Sequence, residues 1–343
     1  MRDFGLMDLD EPFTNLLTQG MVLNEIFYRK TESGRLDYFN PADVEVRLDD
    51  NRLRTGAILK SDGQPVASGG IGTMSKSKNN GVDPQALIER YGADTARLFI
   101  MFASPPEQTL EWSDAGVEGS FRFLKRMWTF AANALEQEIK PMAEKLTKDI
   151  PDSLSPEHRN ALLQIHLLIK QANFDLNKHQ FNTVASAAMK MLNVLDSADV
   201  RVSITNRPPV MGNQPQRIEN ELELARYNRA WMTWHGLGIL LRLLSPITPH
   251  ICDHLWRELG YGDDILQAPW PEPDPVALQQ DEVELVVQVN GKLRGHIQVP
   301  VNADRGEVEQ AALADENVRR FTAGQTIKKV IIVPGRLVNI VVS

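Results

Sequence analysis

The chain has 343 residues, 42% apolar and 24% charged, with a formal net charge of −8. That length exceeds one ordinary domain and predicts two or three units with real hydrophobic cores. A single cysteine excludes a disulfide framework and a multi-cysteine zinc site and fits a reducing cytoplasm; no apolar run approaches the ~20 residues of a membrane span, and the acidic start Met1-Arg2-Asp3-Phe4 is unlike a signal peptide.

Leu16 to Leu23 reads as a short buried strand of the kind parallel sheets contain. From about 28 to 70, polar turns such as Glu32-Ser33-Gly34 and Ser61-Asp62-Gly63 separate strand-like pieces such as Val44 to Leu48, which predicts a small β insertion. The run Gly72-Thr73-Met74-Ser75-Lys76-Ser77-Lys78-Asn79-Asn80-Gly81-Val82-Asp83-Pro84 then sets a mobile, lysine-bearing loop before a helix start. Asp83 suits the N-cap and Pro84 the first helical position. The helix is expected to run on through Leu87, Ile88, Tyr91 and Leu98. Small residues that let a ligand approach the backbone, two ammonium groups and a helix N-terminus together make a phosphate-handling arrangement.

Beyond Trp112 the periodicity becomes helical. Ser113 or Asp114 caps a helix bearing Phe121, Leu124, Trp128, Ala131 and Leu135, and the stripe Phe121, Phe123, Met127 and Trp128 is expected to be core. A second helix starts at Ser155-Pro156 with Leu162, Ile165, Leu168, Ile169 and Ala172 on one face; a third carries Val184, Ala188, Met191, Leu192 and Leu195. A fourth runs from about Gln216 to Leu244 before Pro246, and a last from Pro249 to Leu259. Antiparallel helices on short links form a bundle. The stretch Thr205 to Pro215, with three prolines, is longer than its connection needs and reads as disordered. His250 and His254 share a helix face with Cys252 between them, but no third ligand cluster accompanies them, so they read as packing residues and no metal is expected.

Prolines at 269, 271, 273 and 275 predict a stiff, extended linker over 266–282. After it, Val283 to Val289 alternates, Asn290-Gly291 is a type I′ hairpin signal, and Lys292 to Val299 returns. A helix from Asp304 to Leu313 and strands at Lys329 to Val333 and Leu337 to Val342 complete a small α+β module. This tail, from Val283, carries eight Lys/Arg and six Asp/Glu, so it is mildly basic on an acidic body.

Met74-Ser75-Lys76-Ser77 resembles the second signature of class I aminoacyl-tRNA synthetases, written Lys-Met-Ser-Lys-Ser. The continuation is more specific: Asn79-Asn80-Gly81-Val82-Asp83-Pro84, Tyr91-Gly92-Ala93-Asp94-Thr95-Ala96-Arg97-Leu98-Phe99, Phe102-Ala103-Ser104-Pro105 and Thr109-Leu110-Glu111-Trp112. With Phe181-Asn182-Thr183, Ser245-Pro246-Ile247-Thr248-Pro249-His250-Ile251-Cys252, Val287-Gln288-Val289-Asn290-Gly291-Lys292-Leu293-Arg294 and Val333-Pro334-Gly335-Arg336, the whole chain resembles the C-terminal portion of bacterial leucyl-tRNA synthetases.

The resemblance implies a multidomain, mainly α protein. It comprises a partial α/β nucleotide-binding, Rossmann-like segment over 1–110 with the β insertion, a helical bundle of the class I anticodon-binding type over 111–265, and the α+β module over 283–343. It implies a leucine–tRNA ligase, with Lys76 catalytic and Thr73, Met74, Ser75, Lys76 and Ser77 forming a loop that closes over ATP with Mg2+. tRNA(Leu), leucine and ATP are the implied partners, with neither zinc nor membrane. Lys292, Arg294, Lys328, Lys329 and Arg336 become candidates for the outer corner of the tRNA, and Arg122, Lys125 and Arg126 for its acceptor side. Solvated faces or edge-strand protection would equally use such charges.

Two departures stand out. Thr73 replaces the first signature lysine, and no His-x-Gly-His occurs among the seven histidines. The chain alone is therefore expected to be inactive. A subunit of a split enzyme completed by an N-terminal polypeptide, a piece of a longer chain, and a non-catalytic tRNA-binding relative all remain open.

Overall fold

Strand β1 (Val22–Lys30) organises the N-terminal part of the chain. It starts at Val22 rather than Leu16, whose side chain is exposed. The apolar run is broken by Gly20, which lies so close to the Gln108–Thr109 backbone that a Cβ there would sit 2.0 Å from the Gln108 carbonyl oxygen. In the computed structural model, described over residues 2–9, 11, 13–51, 53–199, 215–279, 282–300, 303–333 and 336–343, contacts divide the chain after Pro273. The disorder expected between Thr205 and Pro215 falls almost wholly outside the described residues.

In the first unit β1 pairs antiparallel with β2 (Leu36–Phe39) and with β5 (Ala67–Thr73). Its start pairs parallel with the two-residue β6 (Leu110–Glu111), so the strand has partners on both sides. β3 (Val44–Leu48) and β4 (Arg54–Leu59) form a separate antiparallel hairpin. Phe27, Val44, Ala57, Leu59 and Val66 bury together where hairpin and sheet meet.

α1 (Pro84–Tyr91) is capped by Asp83, whose carboxylate accepts from Gln85 N. The expected continuous helix stops at Gly92, which takes φ 82°, and α2 (Ala93–Ala103) begins beyond it. Only glycine adopts that conformation without strain, so the helical periodicity spans two helices with a corner between them.

Ser113 caps α3 (Asp114–Ala134), and the buried face is Val117, Ser120, Phe123, Leu124, Met127, Ala131 and Ala134. Phe121 and Trp128, assigned to the core by sequence, are exposed; the true face is rotated from them by about one residue. A π turn (Leu135–Ile139) then carries the chain into α4 (Lys140–Met142). The turn brings Glu138 inside the bundle, where it accepts from Thr233 Oγ1 at 3.1 Å and pairs with Arg229 at 3.3 Å.

α5 (Pro156–Asn177), α6 (Phe181–Asp199), α7 (Pro215–Leu244) and α8 (Pro249–Glu258) complete the bundle. The expected faces of α5 and α6 are buried, except that Leu168 is only half-buried. α6 and α7 meet at Gly236, where a Cβ would lie 2.4 Å from Leu195 Cδ2. The proline stretch is fastened rather than free-standing. Arg242 Nη1 donates to Pro269 O, Asn173 Nδ2 donates to Pro271 O, and Trp270 Nε1 donates to Asn173 Oδ1.

The second unit holds a four-stranded sheet in the order β8 (Lys292–Pro300), β7 (Glu282–Val289), β10 (Leu337–Val342), β9 (Ile327–Val333), antiparallel except for the parallel β7–β10 pair. Asn290 and Gly291 take φ 49° and 76° at the expected hairpin. α9 (Arg305–Ala314) carries an Asp304/Glu307 capping box. A helix the periodicity did not announce, α10 (Glu316–Thr322), follows it. Both pack through Val308, Ala312 and Val318 onto Leu285, Val287, Ile297, Val299, Val338 and Ile340.

Candidate functional site

β5 delivers the lysine-bearing loop, and a buried asparagine fixes its base. Asn80, wholly buried, accepts from Ser75 N at 2.8 Å through Oδ1, while its Nδ2 lies 3.3 Å from Gly72 O and 3.4 Å from Thr73 O. Asn24 of β1 donates to Asn80 O at 3.1 Å, and Asn80 Nδ2 reaches Asn24 O at 3.4 Å. Met74 N donates to Val22 O, and Asn40 Nδ2 donates to Gly81 O. A buried amide leaves few polar atoms unmet without large cost, so this network holds one arrangement.

Above that base the backbone makes a single 3-10 turn, Lys76–Lys78. Ser75 caps it, and Asn79 closes it at φ 49°. Ser75 Oγ lies 3.3 Å from both Lys78 N and Ser77 Oγ. Thr73, Lys76 and Ser77 are exposed, whereas Met74, Ser75 and Lys78 are half-buried. The loop therefore has a fixed floor and an open cationic crest, just before the N-terminus of α1. Such an arrangement can receive a phosphate chain from solvent. Asn80 and Asn24 were missed by sequence reasoning; their weight comes from burial and distance in space, and neither has a local signature.

A second network joins the loop's helices to the bundle. Asp94 of α2, buried, meets His250 Nδ1 at 2.8 Å and accepts from Ile251 N at 2.7 Å, capping α8 from another element. Arg97, one turn on, donates to Ile247 O and Pro246 O. His254 stacks on Trp128 at 5.1 Å. The two histidines thus engage a carboxylate and an indole. Among the described residues no three His, Cys, Asp or Glu side chains gather as a metal site would need.

The candidates for RNA contact are divided between the two units, and within the second they fall at both ends of the sheet. Arg126 Nη2 is engaged by Asn193 Oδ1 at 2.5 Å, Arg122 lies 4.0 Å from Glu118, and Lys125 is exposed. In the second unit Lys292 and Arg294 both lie on β8, opposite the end of β7. The register shifts there, leaving Arg294 as the extra residue of a bulge, its guanidinium 3.7 Å from the centre of the Phe321 ring. Lys292 pairs with Val289, Val289 with Ile340 and Lys329 with Val341, which places Lys292, Lys328 and Lys329 toward one end of the sheet. Arg336 sits at the other end, its carbonyl accepting from Val286 N.

The family model for class I tRNA synthetases (I, L, M and V) matches residues 50–113, and that for the anticodon-binding domain of tRNA ligase matches residues 158–310. The leucine–tRNA ligase of Nitrosospira multiformis is 52% identical over 344 residues, which take in 100% of this chain and 36% of that protein. For the leucine–tRNA ligase of Nitrosomonas europaea the values are 52%, 100% and 37%. The chain thus spans about a third of the length of these relatives. Its fold is similar to that of LeuRS from Agrobacterium radiobacter, solved in a ternary complex with tRNA and LeuAMS, with a TM-score of 0.58 at 24% identity over 100% of this chain and 34% of that one.

Proposed function

We propose that the chain, which matches leucine–tRNA ligases over its whole length, is a class I tRNA synthetase portion that supplies the signature loop and tRNA-binding parts of a cytoplasmic leucine–tRNA ligase. The observation that carries this reading is a loop tied down by Asn80 with Lys76 exposed at its crest, ahead of a capped helix. The leucine and adenine contacts belong, on this reading, to the portion of the relatives that the chain does not span.

A leucine carboxylate oxygen attacks the α-phosphorus of MgATP. The bond from that phosphorus to the bridging oxygen breaks, and pyrophosphate departs with the electron pair. A terminal tRNA hydroxyl then attacks the carbonyl of the mixed anhydride, and AMP leaves. Lys76 acts in the first step, where negative charge accumulates on the departing group; a cation already in place stabilises it without reorganisation. The magnesium travels with the substrate phosphates, since the loop offers ammonium and hydroxyl groups and no carboxylate.

The test is leucine-dependent ATP–pyrophosphate exchange, run with the chain alone and with a separately made N-terminal portion of a relative. Activity is expected only in the mixture. Lys76→Ala should lower that rate at least ~10²-fold, the scale of one lost transition-state donor; unchanged exchange would remove Lys76 from the mechanism. Thr73 favours a second reading, a non-catalytic tRNA-binding relative. It predicts silence in a mixture whose N-terminal portion is active with a relative's own C-terminal part.

A further inference from the structure

Where α7 and α8 meet the segment that leads to the prolines, the first unit holds a cavity of about 630 Å³, within the range of sites that take small organic ligands. One wall is aromatic. Trp234 of α7, Trp256 of α8 and Tyr261 just beyond it form one stack, with Tyr261 between the indoles at centroid distances of 5.1 and 4.6 Å. Tyr261 donates its hydroxyl to Trp234 O, which fixes the middle ring. Such a wall offers flat apolar surface to a planar ring. The cavity also holds donors that lack acceptors. Trp256 is only 8% exposed, and its indole N–H meets no acceptor among the described residues. Gly262 stands beside it without a side chain; a Cβ there would lie 3.6 Å from Trp256 Nε1. Arg242 is half-buried, with Nε donating to Gly238 O and Nη1 to Pro269 O. Its Nη2 meets neither carboxylate nor carbonyl among the described residues, and burial lowers its pKa against a smaller opposing effect of Tyr261. A cation partly withdrawn from water without a counter-ion suits an anionic ligand.

The rim of the cavity decides what kind of anion enters. Lys148, exposed and without a partner among the described residues, adds one ammonium. Asp263 and Asp264, also exposed, add two carboxylates. Asp264 caps the 3-10 turn Ile265–Gln267, whereas Asp263 has no partner among the described residues. A rim carboxylate accepts from hydroxyl groups but repels the successive phosphates of a nucleic-acid strand. One phosphate, a planar base and free hydroxyls are together what a mononucleotide offers. We propose that this cavity binds a free nucleoside monophosphate. The base lies against the Trp234–Tyr261–Trp256 stack with a ring acceptor at Trp256 Nε1, the phosphate meets Arg242 and Lys148, and the ribose hydroxyls face Asp263. The site is separate from the signature loop and does not depend on the role proposed for that loop.

The experiment titrates the full chain with AMP by calorimetry while the tryptophan indole N–H resonances are followed by NMR. Saturable binding at one site is expected, and the resonance that Trp256→Phe removes should be the one that AMP moves most. Adenosine and ribose 5-phosphate, each lacking half of the ligand, should bind at least ~10-fold more weakly. Arg242→Gln should weaken AMP by ~10- to 100-fold, the scale of lost hydrogen bonds to a charged group. Lys148→Ala should weaken it less, and this exposed position keeps the test open should Arg242→Gln fail to fold. Lys76→Ala should leave AMP binding as it is. No binding up to ~5 mM AMP would overturn the assignment. So would an unmoved Trp256 resonance, or loss of binding in Lys76→Ala, which would put the nucleotide on the signature loop. Binding of a single-stranded oligoadenylate of about six nucleotides that Arg242→Gln and Lys148→Ala weaken, with none of AMP, would make the cavity a strand-binding surface and overturn it too.

Discussion

On the proposed reading, a loop that closes over ATP in one geometry needs an anchor, and at residue scale that anchor is Asn80. Its side chain holds Ser75 N and the carbonyls before it, and every partner is backbone. Asn80→Ala leaves Ser75 N without its acceptor, which should cost about 1–3 kcal/mol in denaturant unfolding. It should also lower exchange in the completed enzyme more than it changes the leucine KM. Asn80→Asp keeps the acceptor for Ser75 N but loses the donor, so a rate between wild type and alanine is expected. Cys252 gives a second residue-scale prediction. Burial pushes its thiol up to about 12, against a smaller opposing effect of Thr248. Native protein should therefore resist iodoacetamide at pH 8 and react on unfolding; rapid native labelling would contradict the buried placement. The Asp83 cap was legible in sequence because local spacing encodes it, whereas Ser75 and Lys76 were singled out through the resemblance of the loop. Asn80 was not, because an asparagine in a polar loop looks the same whether it faces water or a buried strand.

At the scale of elements, hydrophobic period located the helices and misjudged how they turn. The Tyr91-to-Leu98 spacing is helical on both sides of Gly92, but the conformation of that one glycine separates α1 from α2. Of the stripe expected to be core, Phe123 and Met127 are buried while Phe121 and Trp128 are exposed, because the buried face runs through Val117, Ser120, Leu124 and Ala131. α10 is shorter than the window in which a period can be recognised. The start of α5 carries a pH prediction. His158 is buried and meets Ser155 Oγ at 3.0 Å through Nδ1; burial lowers its pKa, outweighing the opposite pull of Glu157. The unfolded chain, with a value of about 6.5, then binds the proton more readily. The contribution to stability is complete above about pH 6.5 and is lost as pH falls toward the lowered folded value. Melting temperature should drop between about pH 7.5 and 5.5, and His158→Gln should flatten that drop; an unchanged slope would place the proton uptake elsewhere.

For the whole molecule, sequence separated an acidic body from a mildly basic tail, and packing within the chain divides it after Pro273. What composition could not convey was the disposition of the tail's charges, which depends on a bulge and a register. Lys328→Ala with Lys329→Ala should weaken tRNA binding and reduce the slope of log affinity against log salt by about one for each phosphate no longer neutralised. Arg336→Ala, at the far end of the sheet, should leave that slope nearly intact; equal effects would mean that the charges act only as a diffuse field. Within the first unit, the bonds from Asp94 and Arg97 to the Pro246–Ile251 segment impose a thermodynamic symmetry. Where nucleic acid at α8 shifts the loop before α1 through α2, linkage requires a nucleotide on the loop to alter affinity at the bundle by the same factor. Asp94→Asn should shrink both factors together, so the strength of one binding event becomes a gauge of the other.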